Sequence, residues 1–248
     1  MNYECPNERL KDFVQNIKMY FSQEENKTIF QKRNTLKVIE FENREYVVKS
    51  FRVPHLLNQI VYRFFRDSKA RRSFDNSYQL EKMQINTPKP VGYIEFPTRF
   101  LFKESFYISD FFDYDFEIRA VFNDKSFENR ENILKKFVEF TYALHKKKVY
   151  HIDYSPGNIL VKKHGYGYEF SIIDVNRMKF VELDNELRMK SMAKLSNDDD
   201  DNKLMLEHYA KIAKIDEEEL KELFTKALEE QANYLANKKR LKKIKGKA

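Results

Sequence analysis

The chain predicts an α+β fold in which strands come first and helices later. Two observations carry that class. Short β-branched and aromatic runs crowd residues 28–112, whereas helical periodicity dominates from residue 131 onward. A strand pair rich in polar and glycine residues separates the first long helix of the second half from the helices after it.

The elements follow from their spacing. Residues 8–21 place Leu10, Phe13, Val14, Ile17 and Phe21 at helical intervals. Residues 28–32, 36–41 and 44–51 read as strands, with a turn at Asn43. Residues 56–65 and 69–83 read as helices, and Pro88-Lys89-Pro90 then breaks the chain before strands at 91–96 and 101–112. The strongest helix spans 131–147, where Ile133, Leu134, Phe137, Val138, Phe140, Thr141 and Leu144 share one broad face. Residues 159–163 and 168–174 form a hairpin around Gly165-Tyr166-Gly167. The remainder, from Asp184, is helical and contains an acidic run at 198–201. The expected division is an N-terminal lobe over 1–112, a C-terminal lobe over 113–237 and a basic tail over 238–248.

Composition excludes several classes. Of 248 residues, 34% are charged, and no apolar run approaches the roughly 20 residues of a spanning helix. The first residues lack the basic-then-apolar pattern of a secretory signal, and a single cysteine, Cys5, cannot form an internal disulfide, so a cytoplasmic setting is expected. The net charge of +7 resides in the tail, whose seven basic residues face no acidic ones; the other 237 residues sum to zero. A neutral domain without an interleaved aromatic–basic motif argues against nucleic acid.

Chemistry concentrates in His151-Ile152-Asp153-Tyr154-Ser155-Pro156-Gly157-Asn158, followed by Ser171-Ile172-Ile173-Asp174. Taken singly, these are ordinary turn formers and strand ends. Jointly they suit phosphoryl transfer, which needs metal to neutralise phosphate charge and a carboxylate beside the attacking hydroxyl. Asp153 suits the second role, and Asn158 and Asp174 offer the oxygen ligands that Mg²⁺ prefers. His151 reads as a brace for the loop. About a hundred residues upstream, Lys49 ends a short apolar strand, as a lysine holding nucleotide phosphates would.

With these motifs the chain resembles the Kdo/WaaP family of lipopolysaccharide core kinases, within the protein-kinase-like superfamily. The likeness runs from about Thr28 to Arg177 and rests on Val48-Lys49, residues 68–74, Thr87-Pro88-Lys89-Pro90, residues 151–160 and Asp174-Val175-Asn176-Arg177. It implies a two-lobed kinase-like fold and an ATP- and Mg²⁺-dependent phosphotransferase. Lys49 would contact ATP phosphates, Asp153 would be the catalytic base, and Asn158 and Asp174 would bind Mg²⁺. Arg177 completes the family's Asp-x-x-Arg. The implied acceptor is a sugar of the lipopolysaccharide inner core, Kdo above all.

The chain departs from the kinase pattern at three places. Its five glycines lie at 92, 157, 165, 167 and 246, so no glycine-rich loop covers the phosphates. No glutamate stands clearly opposite Lys49, and Asp75 is the expected partner. Asn176 replaces the glycine of Asp-Phe-Gly. Ser155 in place of a lysine, and no Ala-Pro-Glu after Arg177, turn the expectation from protein toward glycolipid acceptors. A nucleotide-binding pseudokinase and a RIO-like protein kinase are the alternatives. The basic tail is either solvated or in contact with anionic headgroups at the inner face of the inner membrane.

Overall fold

The computed structural model describes residues 1–165 and 167–245. Tyr166 of the expected hairpin turn and the last three residues of the basic tail lie outside the described residues. The chain forms two compact units, residues 1–113 with 171–177, and residues 114–170 with 178–248. A contiguous split at 112 therefore misses one feature. The segment bearing Asp174 is anchored in the first unit, where Ile172 N–H donates to the Asn86 carbonyl (3.0 Å) and Thr87 Oγ1 donates to the Ile172 carbonyl (2.8 Å).

The first unit contains β1 (Asn2–Glu4), α1 (Lys11–Gln15), α2 (Ile17–Ser22), β2 (Thr28–Gln31), β3 (Asn34–Phe41), β4 (Arg44–Phe51), α3 (Leu56–Phe64), α4 (Lys69–Lys82), β5 (Pro90–Phe96) and β6 (Glu104–Asp110). Its six strands form one antiparallel sheet in the order β1-β5-β6-β4-β3-β2. The helix expected over 8–21 is divided, because Asn16 leaves helical geometry (φ −96°, ψ 17°) between α1 and α2.

Strand alternation gives this sheet two covered faces. On one, Ile39, Tyr46, Val48, Ile94 and Ile108 pack with Phe13, Val14 and Ile17 of α1 and α2. On the other, Phe51 and Tyr93 pack with Ala70 and Phe74 of α4. Lys49 alternates with Tyr46 and Val48 and is in phase with Phe51, so it shares the α4 face. Its register neighbours are Leu36 on β3 and Tyr107 on β6, which places it mid-sheet.

The second unit contains β7 (Phe116–Glu117), α5 (Ile118–Asn123), α6 (Arg130–Lys146), β8 (Val149–His151), β9 (Ile159–His164), β10 (Gly167–Ile172), β11 (Met178–Phe180), α7 (Asn185–Met192), α8 (Asp199–Ala213) and α9 (Glu217–Lys245). The last two residues of β10 pass into the first unit. The core of the second unit forms around α6, whose Ile133, Leu134, Phe137, Val138, Thr141, Leu144 and His145 are buried. Phe137 stacks on Tyr154 and contacts Phe170. Burial pushes His145 down to about 3, with the charge of Arg188 adding to it, so the ring is neutral beside the Tyr209 hydroxyl (2.8 Å). The short strands β1, β7, β8 and β11, at two or three residues each, are below what periodicity can reveal.

Candidate functional site

In the first unit, Asp174 is the focus. Its backbone is left-handed (φ +57°), a conformation that costs a non-glycine residue energy and that Asp tolerates better than most. Lys49 Nζ donates to its Oδ1 at 2.6 Å, and Asn176 Nδ2 donates to the same oxygen at 2.6 Å. Asn176 is buried, so the residue standing where a glycine would give a hinge instead clamps the carboxylate. Asn76 of α4 donates to the Val175 carbonyl (2.7 Å) and fixes the 3-10 turn Val175–Arg177 to that helix.

The face of α4 turned to that turn is cationic. Helix α4 begins at Lys69, after the Ser68 side chain accepts from the Arg71 amide. Burial pushes the Lys69 amine below the usual lysine range. The positive charges of Arg177, Lys49 and Arg72 push the same way, against the single carboxylate of Asp174. Among the described residues no carboxylate lies within ion-pair distance of Lys69. Lys49 and Lys69 thus bring two amines to the neighbourhood of Asp174, an arrangement that suits phosphate oxygens.

Asp75 does not pair with Lys49. Its carboxylate faces Arg71 at 3.6 Å, and burial raises its pKa against the pull of that guanidinium. The reason is helical period. Ser73 is buried and Asn76 reaches the Val175 carbonyl, whereas position 75 lies about 200° around the helix from Ser73. The ion-pair partner of Lys49 is Asp174 itself.

In the second unit, Asp153 and Asn158 share one loop. The Asp153 amide donates to His151 Nδ1 (3.0 Å), and the Asp153 carbonyl accepts from Asn158 Nδ2 (2.9 Å). His151 is buried, and its Nδ1 is the acceptor of that backbone bond. On the other side of Asp153, Tyr154 is buried and its hydroxyl bonds Thr141 Oγ1 of α6 at 2.8 Å. Lys194 Nζ donates to the Ile152 carbonyl (2.9 Å). Asp153 is thereby mounted between two core anchors. The Arg119 guanidinium lies directly on this loop: a Cβ at Gly157 would fall 1.4 Å from its Nη2, so any larger residue there would displace that side chain.

A model of the lipopolysaccharide kinase (Kdo/WaaP) family matches residues 18–215, which include Lys49, Lys69, Asp153, Asn158 and Asp174. The chain belongs to the lipopolysaccharide kinase (Kdo/WaaP) family. It is therefore a phosphotransferase that acts on a sugar hydroxyl. Among solved structures, the chain is similar to one described as WaaP in complex with acyl carrier protein. That match has a TM-score of 0.63 and 15% identity, and covers 93% of this chain and 99% of the other. At that identity the likeness speaks for the fold, which is kinase-like. No curated protein matches the sequence.

Two residues close to these groups carry no signal in the sequence. Lys69 reads as a solvated lysine in a basic helix start, and only packing shows it unpaired and half-buried beside Asp174. Arg119 has no motif around it, and only the structure shows its guanidinium against the Gly157 loop. The pocket of about 370 Å³ lined by Asn7, Leu10, Arg44, Tyr46, Glu81 and Asp110, among others, contains none of these groups.

Proposed function

We propose that this lipopolysaccharide kinase transfers the γ-phosphoryl group of ATP, with Mg²⁺, to a hydroxyl of an inner-core sugar, with Kdo as the acceptor. The observation that supports it most is the strained Asp174, held by Lys49 and Asn176 and close enough to Lys69 for their charges to interact. ATP would supply the phosphoryl group, and Mg²⁺ would neutralise charge on its phosphates. Mg²⁺ takes few protein ligands beside phosphate oxygens, so the pair Asn158 and Asp174 suffices as its protein donors. Lys49 and Lys69 would hold phosphate oxygens. Asp153 would orient the acceptor hydroxyl and take its proton, His151 would keep the loop in place, and Arg177 would complete the positive field.

The setting of the reaction belongs to the same reading. The glycolipid acceptor places the chain in the cytoplasm, peripheral to the inner face of the inner membrane. Among the described residues no helix is long and apolar enough to cross a membrane. The basic run that begins at Lys238 continues α9 and would meet anionic headgroups. The complex described for the WaaP neighbour makes acyl carrier protein a candidate partner.

The test is direct. Purified chain incubated with Kdo-bearing lipid A, ATP and Mg²⁺ should add one phosphate to the glycolipid by mass spectrometry, and EDTA should abolish the gain. A specific observation favours a second reading, a pseudokinase: among the described residues no carboxylate of α4 pairs with Lys49, and Asp75 faces Arg71 instead. Nucleotide binding without phosphate on any acceptor would establish that reading, and phosphate on protein alone would indicate a RIO-like kinase.

Lys69 gives a sharper expectation. Lys69→Met should weaken ATP binding roughly 10- to 100-fold while leaving adenosine binding unchanged, since a charge-assisted contact contributes about 1.5–3 kcal/mol. Fluorescent-nucleotide displacement measures both. Protonated Lys69 attracts phosphate, so ATP affinity in the parent should fall as pH rises through a value below the usual lysine pKa of 10.5. The Met variant should lack that limb. Equal ATP affinity in the two proteins would remove Lys69 from the site.

A further inference from the structure

Helix α3 is amphipathic in the inverted sense. Leu56, Leu57, Ile60, Val61 and Phe64 form a stripe spanning about 140° of the helix, and all five are exposed. The side facing the rest of the unit is polar. Gln59 is buried, with Nε2 donating to the Pro54 carbonyl at 2.9 Å, and Tyr62 contacts the Phe102 ring. Phe65, just past the helix, is 81% exposed, and Leu57 is 79% exposed.

The stripe is extended by the loop at 97–103. Arg63 Nε donates to the Thr98 carbonyl (3.1 Å), and the Phe102 amide donates to the Gln59 carbonyl (3.2 Å), so helix and loop form one fixed surface. Phe100 at its tip is 63% exposed. Segments 52–66 and 97–103 together carry Arg52, Arg63, Arg66, Arg99 and Lys103 and no Asp or Glu. The flanking acids are already paired, Asp67 with Arg71 at 3.3 Å and Glu104 with Lys18.

We propose that this surface is a membrane-docking face, with α3 lying in the headgroup region of an anionic phospholipid bilayer. Large apolar side chains would enter the acyl boundary, and the five cations would sit among lipid phosphates. The charge pattern favours an anionic surface, and the apolar stripe favours one that takes side chains into an apolar layer, as a bilayer does. A twofold contact with a second copy would set five cations against five, which is unfavourable. A neutral apolar partner would leave those cations unused. The surface is separate from the basic tail and goes beyond the kinase reading, which could fail without affecting it.

Flotation of the full chain with vesicles tests it. Binding is expected to vesicles of equal parts phosphatidylcholine and phosphatidylglycerol, falling with added salt, and to be weak on phosphatidylcholine alone. Leu57→Gln with Phe65→Gln should lower binding by an order of magnitude or more at an unchanged melting temperature, because both side chains are exposed. Arg66→Gln with Arg99→Gln should lower binding to anionic vesicles and flatten the salt dependence. The chain has no tryptophan, so Leu57→Trp gives a single reporter, whose emission should shift to the blue on anionic vesicles. The proposal is overturned if that emission does not move. It is overturned equally if Leu57→Gln/Phe65→Gln keeps full binding while Lys238→Gln/Lys239→Gln/Arg240→Gln loses it, or if the chain is a stable dimer that the apolar pair of substitutions dissociates.

Discussion

Asp153→Asn is expected to lower the rate of phosphoryl transfer by roughly 10²–10⁴-fold, with ATP affinity unchanged. The loss corresponds to about 3–5 kcal/mol of transition-state stabilisation, at about 1.4 kcal/mol per decade. The substitution is clean because the hydrogen bonds that fix this loop use the backbone of residue 153. Its amide goes to His151 Nδ1 and its carbonyl receives Asn158 Nδ2. Asparagine preserves both backbone bonds and the side-chain volume while removing the carboxylate charge and its basic oxygen. The measurement is kcat and KM for the glycolipid acceptor beside nucleotide affinity by displacement. A variant with full kcat would remove Asp153 from the proton-transfer role. A variant that loses nucleotide affinity in parallel would point to a disturbed loop.

A second substitution separates chemistry from scaffolding. Tyr154 follows Asp153 and buries its ring on Phe137, with its hydroxyl on Thr141. Its contribution is to where the loop sits, whereas that of Asp153 is to what the loop does. The sequence pattern H-x-D-x₄-N contains both kinds of residue and does not distinguish them, and burial does.

Much of this fold was legible before any coordinates. Strand β4 falls at Arg44–Phe51, as its alternation indicates, and α6 buries the apolar face that its spacing outlines. Those elements are long and strongly periodic, so local pattern and tertiary packing agree. The site was legible only in part. Asp153, Asn158 and Asp174 announce themselves because loop and strand-end residues of that type at that spacing have few structural reasons to coincide. The partner of Lys49 was not legible, because pairing across 125 residues depends on how the 171–177 segment packs, while Asp75 looked close in sequence. Helix phase decides that case: one or two positions along α4 exchange the face toward Asp174 for the face toward Arg71. Similarly, α3 is amphipathic by pattern, and only the structure shows that its apolar face points outward.

Asp201 carries the other large expected effect. In the sequence it belongs to an acidic run, Asp198 to Asp201, which looks like a solvated helix start. The structure separates the four. Asp198 caps α8 by accepting from the Asp201 amide, Asp199 and Asp200 are exposed, and Asp201 is buried. Its Oδ1 receives Arg130 Nη2 at 2.5 Å and Lys125 Nζ at 3.2 Å. Arg130 is itself mostly shielded, and its Nε donates to the Val121 carbonyl, so the pair ties the α5–α6 connection to the start of α8. Removing one partner of a shielded ion pair leaves the other charge uncompensated, and Asp201→Ala is expected to cost about 3–5 kcal/mol. The Lys125 contact contributes little of this, because that side chain is half-exposed and screened. Asp200→Ala, one position away, should stay within about 0.5 kcal/mol. Urea denaturation followed by circular dichroism measures both. Replacing the pair together, as Asp201→Leu with Arg130→Met, should recover most of the loss, since apolar groups of similar volume leave no stranded charge. If the double variant is as unstable as Asp201→Ala alone, packing at that corner, and not the ion pair, holds α8 in place.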